Sequence, residues 1–395
     1  MIINKNYIFL LSTITIIVYL YYKKDKYHFI KKIHNHFKLM FAQKDINHNI
    51  KLEGQNVAIP NVKIQQEKIK KYIDYNLNEL MQNENKNNQL KEMLKYALED
   101  GKRVRPIIVL TNYNSLSKIL NENYNENYSD YMNTNFIINI ALSIEYIHCA
   151  SLILDDMMDN DDYRRDKLSL HIKYGNTMAQ LCAIILCAYA MKNIFTALSQ
   201  LNTMNKDNEN YNKNIPIILG NMFSNCITEL TIGQYIDINI PNSLYTLSDL
   251  GDNIKQKIKM GTNNKYTIEE LIHKKTTTLF EYCYIMPWIF TYYNKSDSEI
   301  EKGILEMKNI AKHFGLIFQI ADDFEDIEQD KIRDGKNSVM NYCINKGVKD
   351  AYHIYFENLK KFKELSIQYN IYTNEINEIC NYLSKKVINN FYKVH

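Results

Sequence analysis

Three carboxylates, Asp155, Asp156 and Asp159, stand at i, i+1 and i+4 in the stretch Asp155-Asp156-Met157-Met158-Asp159-Asn160-Asp161-Asp162-Tyr163-Arg164-Arg165. On a helix, Asp155 and Asp159 share one face, a turn apart. Carboxylates stacked in this way repel each other unless a cation lies between them. A hard cation such as Mg²⁺ takes oxygen ligands and is commonly held by one or two carboxylates together with substrate phosphates. The paired Arg164 and Arg165 suit those phosphates. A solvated acidic helix end explains the stretch equally well when it is taken alone. The same spacing returns in Asp322-Asp323-Phe324-Glu325-Asp326, again after an apolar run. That recurrence favours metal chemistry.

Cations are distributed along the chain to match. Gly101-Lys102-Arg103-Val104-Arg105-Pro106 places three of them at a loop-to-helix junction, a natural phosphate site, with a solvated basic turn as the plainer reading. His148 lies two helical turns before Asp155, on the same face. Alone, a histidine on an apolar helix is an ordinary core residue. Lys274-Lys275-Thr276-Thr277-Thr278 interrupts an apolar helix, and buried lysines demand anions or carboxylates opposite them. Gln319 precedes Asp322 by one turn, and Lys336 follows in Asp334-Gly335-Lys336. Two acidic clusters and several separated cations suit a substrate with a diphosphate and a large apolar remainder.

The elements that must carry these groups read as helices. In 395 residues, Gly (11) and Pro (5) are scarce, which disfavours a turn-rich β fold. Hydrophobic content of 46% is ample for a core. The formal net charge of +3 gives no bulk attraction for nucleic acid. The seven cysteines are scattered without a C-x-x-C pair and read as buried reduced thiols. Apolar spacing predicts helices over 62–84, 88–98, 107–116, 136–154, 177–197, 222–235, 268–293, 300–326, 348–369 and 374–392. Polar insertions are expected near 121–135, 202–214 and 252–265. Tyr7 to Tyr22 is mostly apolar and is followed by a basic stretch. Residues 1–58 therefore read as a leader, either an organelle address (plastid or mitochondrion) or a membrane anchor with a basic flank. The expectation is one all-α domain over 59–395.

With these motifs in order, the chain resembles the trans-isoprenyl diphosphate synthase (polyprenyl synthetase) family. GKRVRP at 101–106, DDMMDNDDYRR at 155–165, KT at 275–276, FQIADDFED at 318–326 and GK at 335–336 follow the family's sequence of motifs. The resemblance implies an all-helical homodimer, each subunit built around a central cavity. It implies Mg²⁺-dependent, head-to-tail condensation of isopentenyl diphosphate onto an allylic diphosphate. By motif, Asp155, Asp159 and Asp322 would ligate Mg²⁺, supported by Asp156, Asp323 and Asp326. Lys102, Arg105, His148 and Arg165 would hold isopentenyl diphosphate. Arg164, Lys275 and Lys336 would hold the allylic diphosphate. Thr276 and Gln319 would offer lone pairs to the allylic cation.

Ala150 and Ser151, about one turn below Asp155, are small where short-product members often carry bulky aromatics. They imply an open cavity floor and a long-chain product, unless Met178 or Phe280 closes the cavity further down. A shorter farnesyl or geranylgeranyl product is the alternative. A non-catalytic subunit of a heteromeric synthase is another, although such subunits lose part of an acidic motif and both are complete here. Squalene or phytoene synthases and terpene cyclases also use acidic motifs, but GKRVRP and KT argue against them. Asp100, Leu154 and Ala183-Ile184 depart from common family residues without removing a motif carboxylate or cation.

Overall fold

A computed structural model describes residues 60–81, 88–120, 135–205, 212–239, 267–333 and 341–394. The expected leader, the insertion at 252–265, residues 121–134 and 206–211 of the other two insertions, and Lys336 lie outside the described residues. Among the described residues the order is α1 (Pro60–Leu80), α2 (Asn88–Leu98), α3 (Val104–Leu120), α4 (Asn135–Met158), a two-stranded ribbon β1 (Tyr163–Arg164) and β2 (Lys167–Leu168), α5 (Leu170–Tyr174) and α6 (Asn176–Met204). Then come α7 (Ile215–Asn239), α8 (Ile268–Ile272), a π turn (His273–Thr277), α9 (Thr278–Thr291), α10 (Asp297–Arg333), α11 (Tyr342–Lys346), α12 (Val348–Gln368) and α13 (Asn374–Val394). The all-α expectation holds.

Helix α4 is the axis of the core. From Phe136 onward it is long and apolar enough to cross a membrane, yet it is mostly buried inside the protein. It packs most extensively on α6 and also on α3 and α9. Pro106 falls in the first turn of α3, where its missing N–H leaves no helical bond unmade. Across the core, Phe314 of α10 lies 5.0 Å from Phe280 of α9 and 5.1 Å from Phe362 of α12, ring to ring.

Helix α4 carries into the first acidic motif and ends at Met158, as the apolar run before the motif implies. Two expectations need correction. Helix α6 continues through Asn202 to Met204, and α7 starts at Ile215, not Met222. The single helix expected over 268–293 is interrupted by the π turn at His273–Thr277, and its apolar periodicity alone could not reveal the extra residue per turn. All seven cysteines are free, and six are buried.

Candidate active site

The first acidic cluster occupies the last turn of α4. Asp156 is buried and accepts a hydrogen bond from Arg164 Nε at 2.6 Å. Arg164 Nη2 also stands 2.5 Å from Asp156 and 4.0 Å from Asp155 Oδ2. Burial pushes the Asp156 carboxyl above its ordinary pKa, against the pull of Arg164. Asp155 Oδ1 is buried and receives no hydrogen bond, although the Lys275 ammonium lies 3.2 Å away.

The arginines reach this place through a tight hairpin. Tyr163 pairs with Leu168 and Arg164 with Lys167, so Arg165 and Asp166 form a two-residue turn. Both have positive φ, 52° and 62°, as this turn geometry requires. Side-chain-bearing residues adopt that conformation at a cost of order 1 kcal/mol each. Arg164 reaches Asp156, while Arg165 Nη1 lies against the basic loop, 3.0 Å from where a Cβ on Gly101 would stand.

The basic loop splits its cations between two tasks. Arg103 bonds Glu145 at 2.5 Å and caps the backbone carbonyl of Leu98. It is a buried tie between the loop and α4. Arg105 instead lies 4.4 Å over the Phe280 ring, with its Nη1 3.1 Å from His148 Nε2. Its buried Nε has no partner, as expected of a group waiting for an anion. Burial, then Arg105 and the neighbouring arginines, push the His148 pKa well down. The ring is neutral, and Nε2 accepts from Arg105. Lys102 stands 5.5 Å from the Tyr382 ring of α13.

The lysine-threonine motif is positioned by the π turn. Glu229, Gly233 and Asp237 form one stripe on α7 at i, i+4 and i+8. Lys274 pairs with Glu229 and Lys275 with Asp237. A Cβ on Gly233 would lie 2.9 Å from the Lys275 backbone nitrogen. On the opposite side, a Cβ on Gly315 of α10 would lie 2.3 Å from Thr277 Oγ1. Two glycines thus let two helices close on the turn. Burial works against the Lys275 charge, but Asp155 and Asp237 outweigh it and its pKa rises. Thr276 donates to Gln319 Oε1 at 2.7 Å, and Gln319 donates to Asp323 at 2.8 Å.

The second acidic cluster lies inside α10. Asp322 is 2.5 Å from Lys386 of α13, and so is Glu325. Asp323 points inward and accepts the backbone N–H of Tyr342 at 2.8 Å, tying α10 to the start of α11. Burial lifts its pKa to about 7, against the hydrogen bonds from Tyr342 and Gln319. Asp326 follows Asp322 by one turn and is exposed. Asp323 was expected to support a metal ion, but both of its oxygens are already engaged by protein groups.

The structure therefore brings Asp155, Asp156, Arg164 and Lys275 into one set, and Arg105 with His148 into another. Asp322 is close enough to act on the Arg105 charge. Sequence reasoning missed Asp237, Glu229 and Lys386. It also missed Gln234, whose buried Nε2 has no partner. Gly-Gln-Tyr-Ile-Asp at 233–237, a polar break in an apolar helix, was the available signal for α7; Lys386 had none. Among the described residues no three His, Cys, Asp or Glu side chains gather into a ready-made metal cage. The donor set still fits Mg²⁺, which keeps waters and shares its shell with phosphates. Asp155 Oδ1, which accepts no hydrogen bond and is ion-paired with the Lys275 ammonium at 3.2 Å, is an oxygen donor suited to it.

Residues 87–360 match the polyprenyl synthetase family, and the chain belongs to it. It is 28% identical over 271 residues to a short chain isoprenyl diphosphate synthase of Methanocaldococcus jannaschii, covering 68% of this chain and 64% of that protein. It is 30% identical over 246 residues to a farnesyl diphosphate synthase of Micrococcus luteus, covering 61% of this chain and 67% of that protein. Its fold is similar to that of an isoprenoid synthase family member of Thermotoga neapolitana, with a TM-score of 0.56, 21% identity, and coverage of 82% of this chain and 99% of that one.

Proposed function

We propose that this chain is a Mg²⁺-dependent trans-prenyltransferase that joins isopentenyl diphosphate head-to-tail to an allylic diphosphate. The observation that carries this reading is the convergence of Lys275 and Arg164 on Asp155 and Asp156, with Arg164 close enough for its charge to act on His148 of the Arg105–His148 pair. Lys275 and Arg164 bind the allylic diphosphate, aided by Lys336. Arg105, Lys102 and Arg165 take the second diphosphate, and neutral His148 orients Arg105. Asp155, Asp159 and Asp322 would hold Mg²⁺, which would supply positive charge to stabilise the departing diphosphate. Thr276 and Gln319 turn oxygen lone pairs toward the allylic cation. The isopentenyl double bond attacks, and the departed diphosphate takes the proton. No side-chain nucleophile is needed.

The relatives named above carry short-chain and farnesyl names, and they favour a farnesyl- or geranylgeranyl-length product. Ile147 and Ile144, both buried, lie about 12 and 16 Å below Asp155 by helical rise and are the candidate floor. The small residues Ala150 and Ser151 are the specific observation for the second reading, a long-chain product. Purified full-length chain given labelled isopentenyl diphosphate, each allylic primer and Mg²⁺ decides between them by product size. Turnover that Ile147→Ala lengthens supports the floor. No turnover in folded protein with any primer removes the catalytic reading and favours a partner-dependent subunit.

A homodimer is proposed from α6. Leu181, Ile184, Met191 and Phe195 are exposed, and with Ala188 they form a stripe at alternating three- and four-residue spacing. Such a stripe is costly in water and suits a second copy of the chain. Ile184→Glu should convert dimer to monomer in analytical ultracentrifugation. Residues 1–58 are proposed as an organelle address or a membrane anchor. Cell fractionation separates the two, since an anchor leaves the intact chain in the membrane pellet.

A further inference from the structure

Lys386 takes no part in the roles proposed above. It lies on the last helix, α13, beyond the residues that match the family, 87–360. Its side chain is only 7% exposed, yet its ammonium lies 2.5 Å from both Asp322 and Glu325, which are themselves 34% and 55% exposed. The cation is thus buried beneath two carboxylates that face outward. One turn earlier, on the same face of α13, Tyr382 lies under the Lys102 ammonium. The helix therefore touches both the basic loop and the second acidic cluster.

A buried lysine stripped of its carboxylates would be uncompensated, so α13 needs Asp322 and Glu325 in place. The converse also holds. With Lys386 present, part of the negative charge of Asp322 and Glu325 is offset without a metal ion, and the two carboxylates are held in one geometry. A divalent cation approaching Asp322 meets a positive charge within a few ångströms. That repulsion weakens binding of the bare ion. An anionic diphosphate arriving with the metal would lower the penalty, because it brings negative charge of its own.

We propose that Lys386 is a built-in counter-ion of the second acidic cluster, which makes that cluster accept Mg²⁺ together with diphosphate rather than alone. The proposal uses the prenyltransferase reading only in naming Mg²⁺ and diphosphate as the ligands.

Calorimetric titration of full-length protein with MgCl₂, without and with inorganic pyrophosphate, tests it without turnover. Wild type should bind Mg²⁺ weakly alone and far more tightly with pyrophosphate. Lys386→Met and Lys386→Gln should bind Mg²⁺ alone on the order of ten-fold more tightly, and the pyrophosphate dependence should shrink. Lys386→Arg should behave as wild type. Melting of each variant, with and without Mg²⁺, monitors the fold. Loss of the metal-free fold that Mg²⁺ restores supports the counter-ion, because the ion then supplies the missing charge. Folded Lys386→Met with wild-type Mg²⁺ affinity overturns the proposal. So does a variant pair that neither folds nor is rescued by Mg²⁺, for the pair is then purely structural. A wild type that binds neither Mg²⁺ nor pyrophosphate overturns the reading of the site itself.

Discussion

The two acidic clusters share a spacing and differ in where their countercharge comes from. Asp155 and Asp156 lie in the last turn of α4, where the helix dipole places partial negative charge and disfavours carboxylates. They are answered by Arg164, eight residues on, and by Lys275. Asp322 lies well inside the 37-residue α10, away from either dipole end. It is answered by Lys386, 64 residues later. The first cluster thus has a cation for each of these two carboxylates, and both cations are groups proposed to bind phosphate. At the second, one buried lysine answers both Asp322 and Glu325.

That contrast predicts unequal losses. Asp155→Asn should lower the single-turnover rate of allylic diphosphate ionisation by about 10³-fold, and Asp322→Asn by about 10²-fold. Quench-flow with saturating Mg²⁺ measures both. Equal losses, or a larger loss at Asp322, would break the comparison.

A smaller effect sharpens it. The first cluster depends on Lys275, which depends on the π turn gripped between Gly233 and Gly315. Gly315→Ala forces a methyl group to within 2.3 Å of Thr277 Oγ1 and 2.9 Å of its Cα. The cost should be about 2–3 kcal/mol of stability, with a rise in KM for the allylic substrate. Gly233→Ala, whose nearest contact is 2.9 Å, should cost about half as much. Thermal melts and initial rates check both. A KM unchanged in a destabilised Gly315→Ala would detach the turn from substrate binding.

The legible parts of this molecule are those with a local signature. The acidic spacing, the arginine pair and the lysine-threonine dipeptide are short motifs, and the structure brings several of them together. Helical periodicity located nearly every long element. Illegible from sequence were relationships between helices. Nothing at Lys386 separates it from its neighbour Lys385 or from any other lysine of an amphipathic helix until α13 is packed on α10. The π turn escaped because one extra residue leaves apolar periodicity almost unchanged. Asp323 was read as a support for the metal beside Asp322, and only the fold turns it inward to the Tyr342 amide.

That inward turn gives the smallest and most specific expectation. Asp323 is 6% exposed, and its carboxyl is pushed up to about 7, first by burial, against the hydrogen bonds from Tyr342 and Gln319. An unfolded aspartate titrates near ~3.9. Between about 4 and 7 the folded chain therefore holds a proton that the unfolded chain has lost, and stability falls as pH rises through that window. His148 acts in the opposite sense, because burial depresses its pKa. The informative quantity is thus the difference between wild type and Asp323→Asn, which retains the shape without the titration. Measured in EDTA, the asparagine variant should gain about 2 kcal/mol relative to wild type between pH 5 and 8. Parallel stability curves would mean that Asp323 is ionised throughout. The second cluster would then carry one more negative charge, beyond those of Asp322 and Glu325 that Lys386 only partly offsets, and its demand for metal would be greater still.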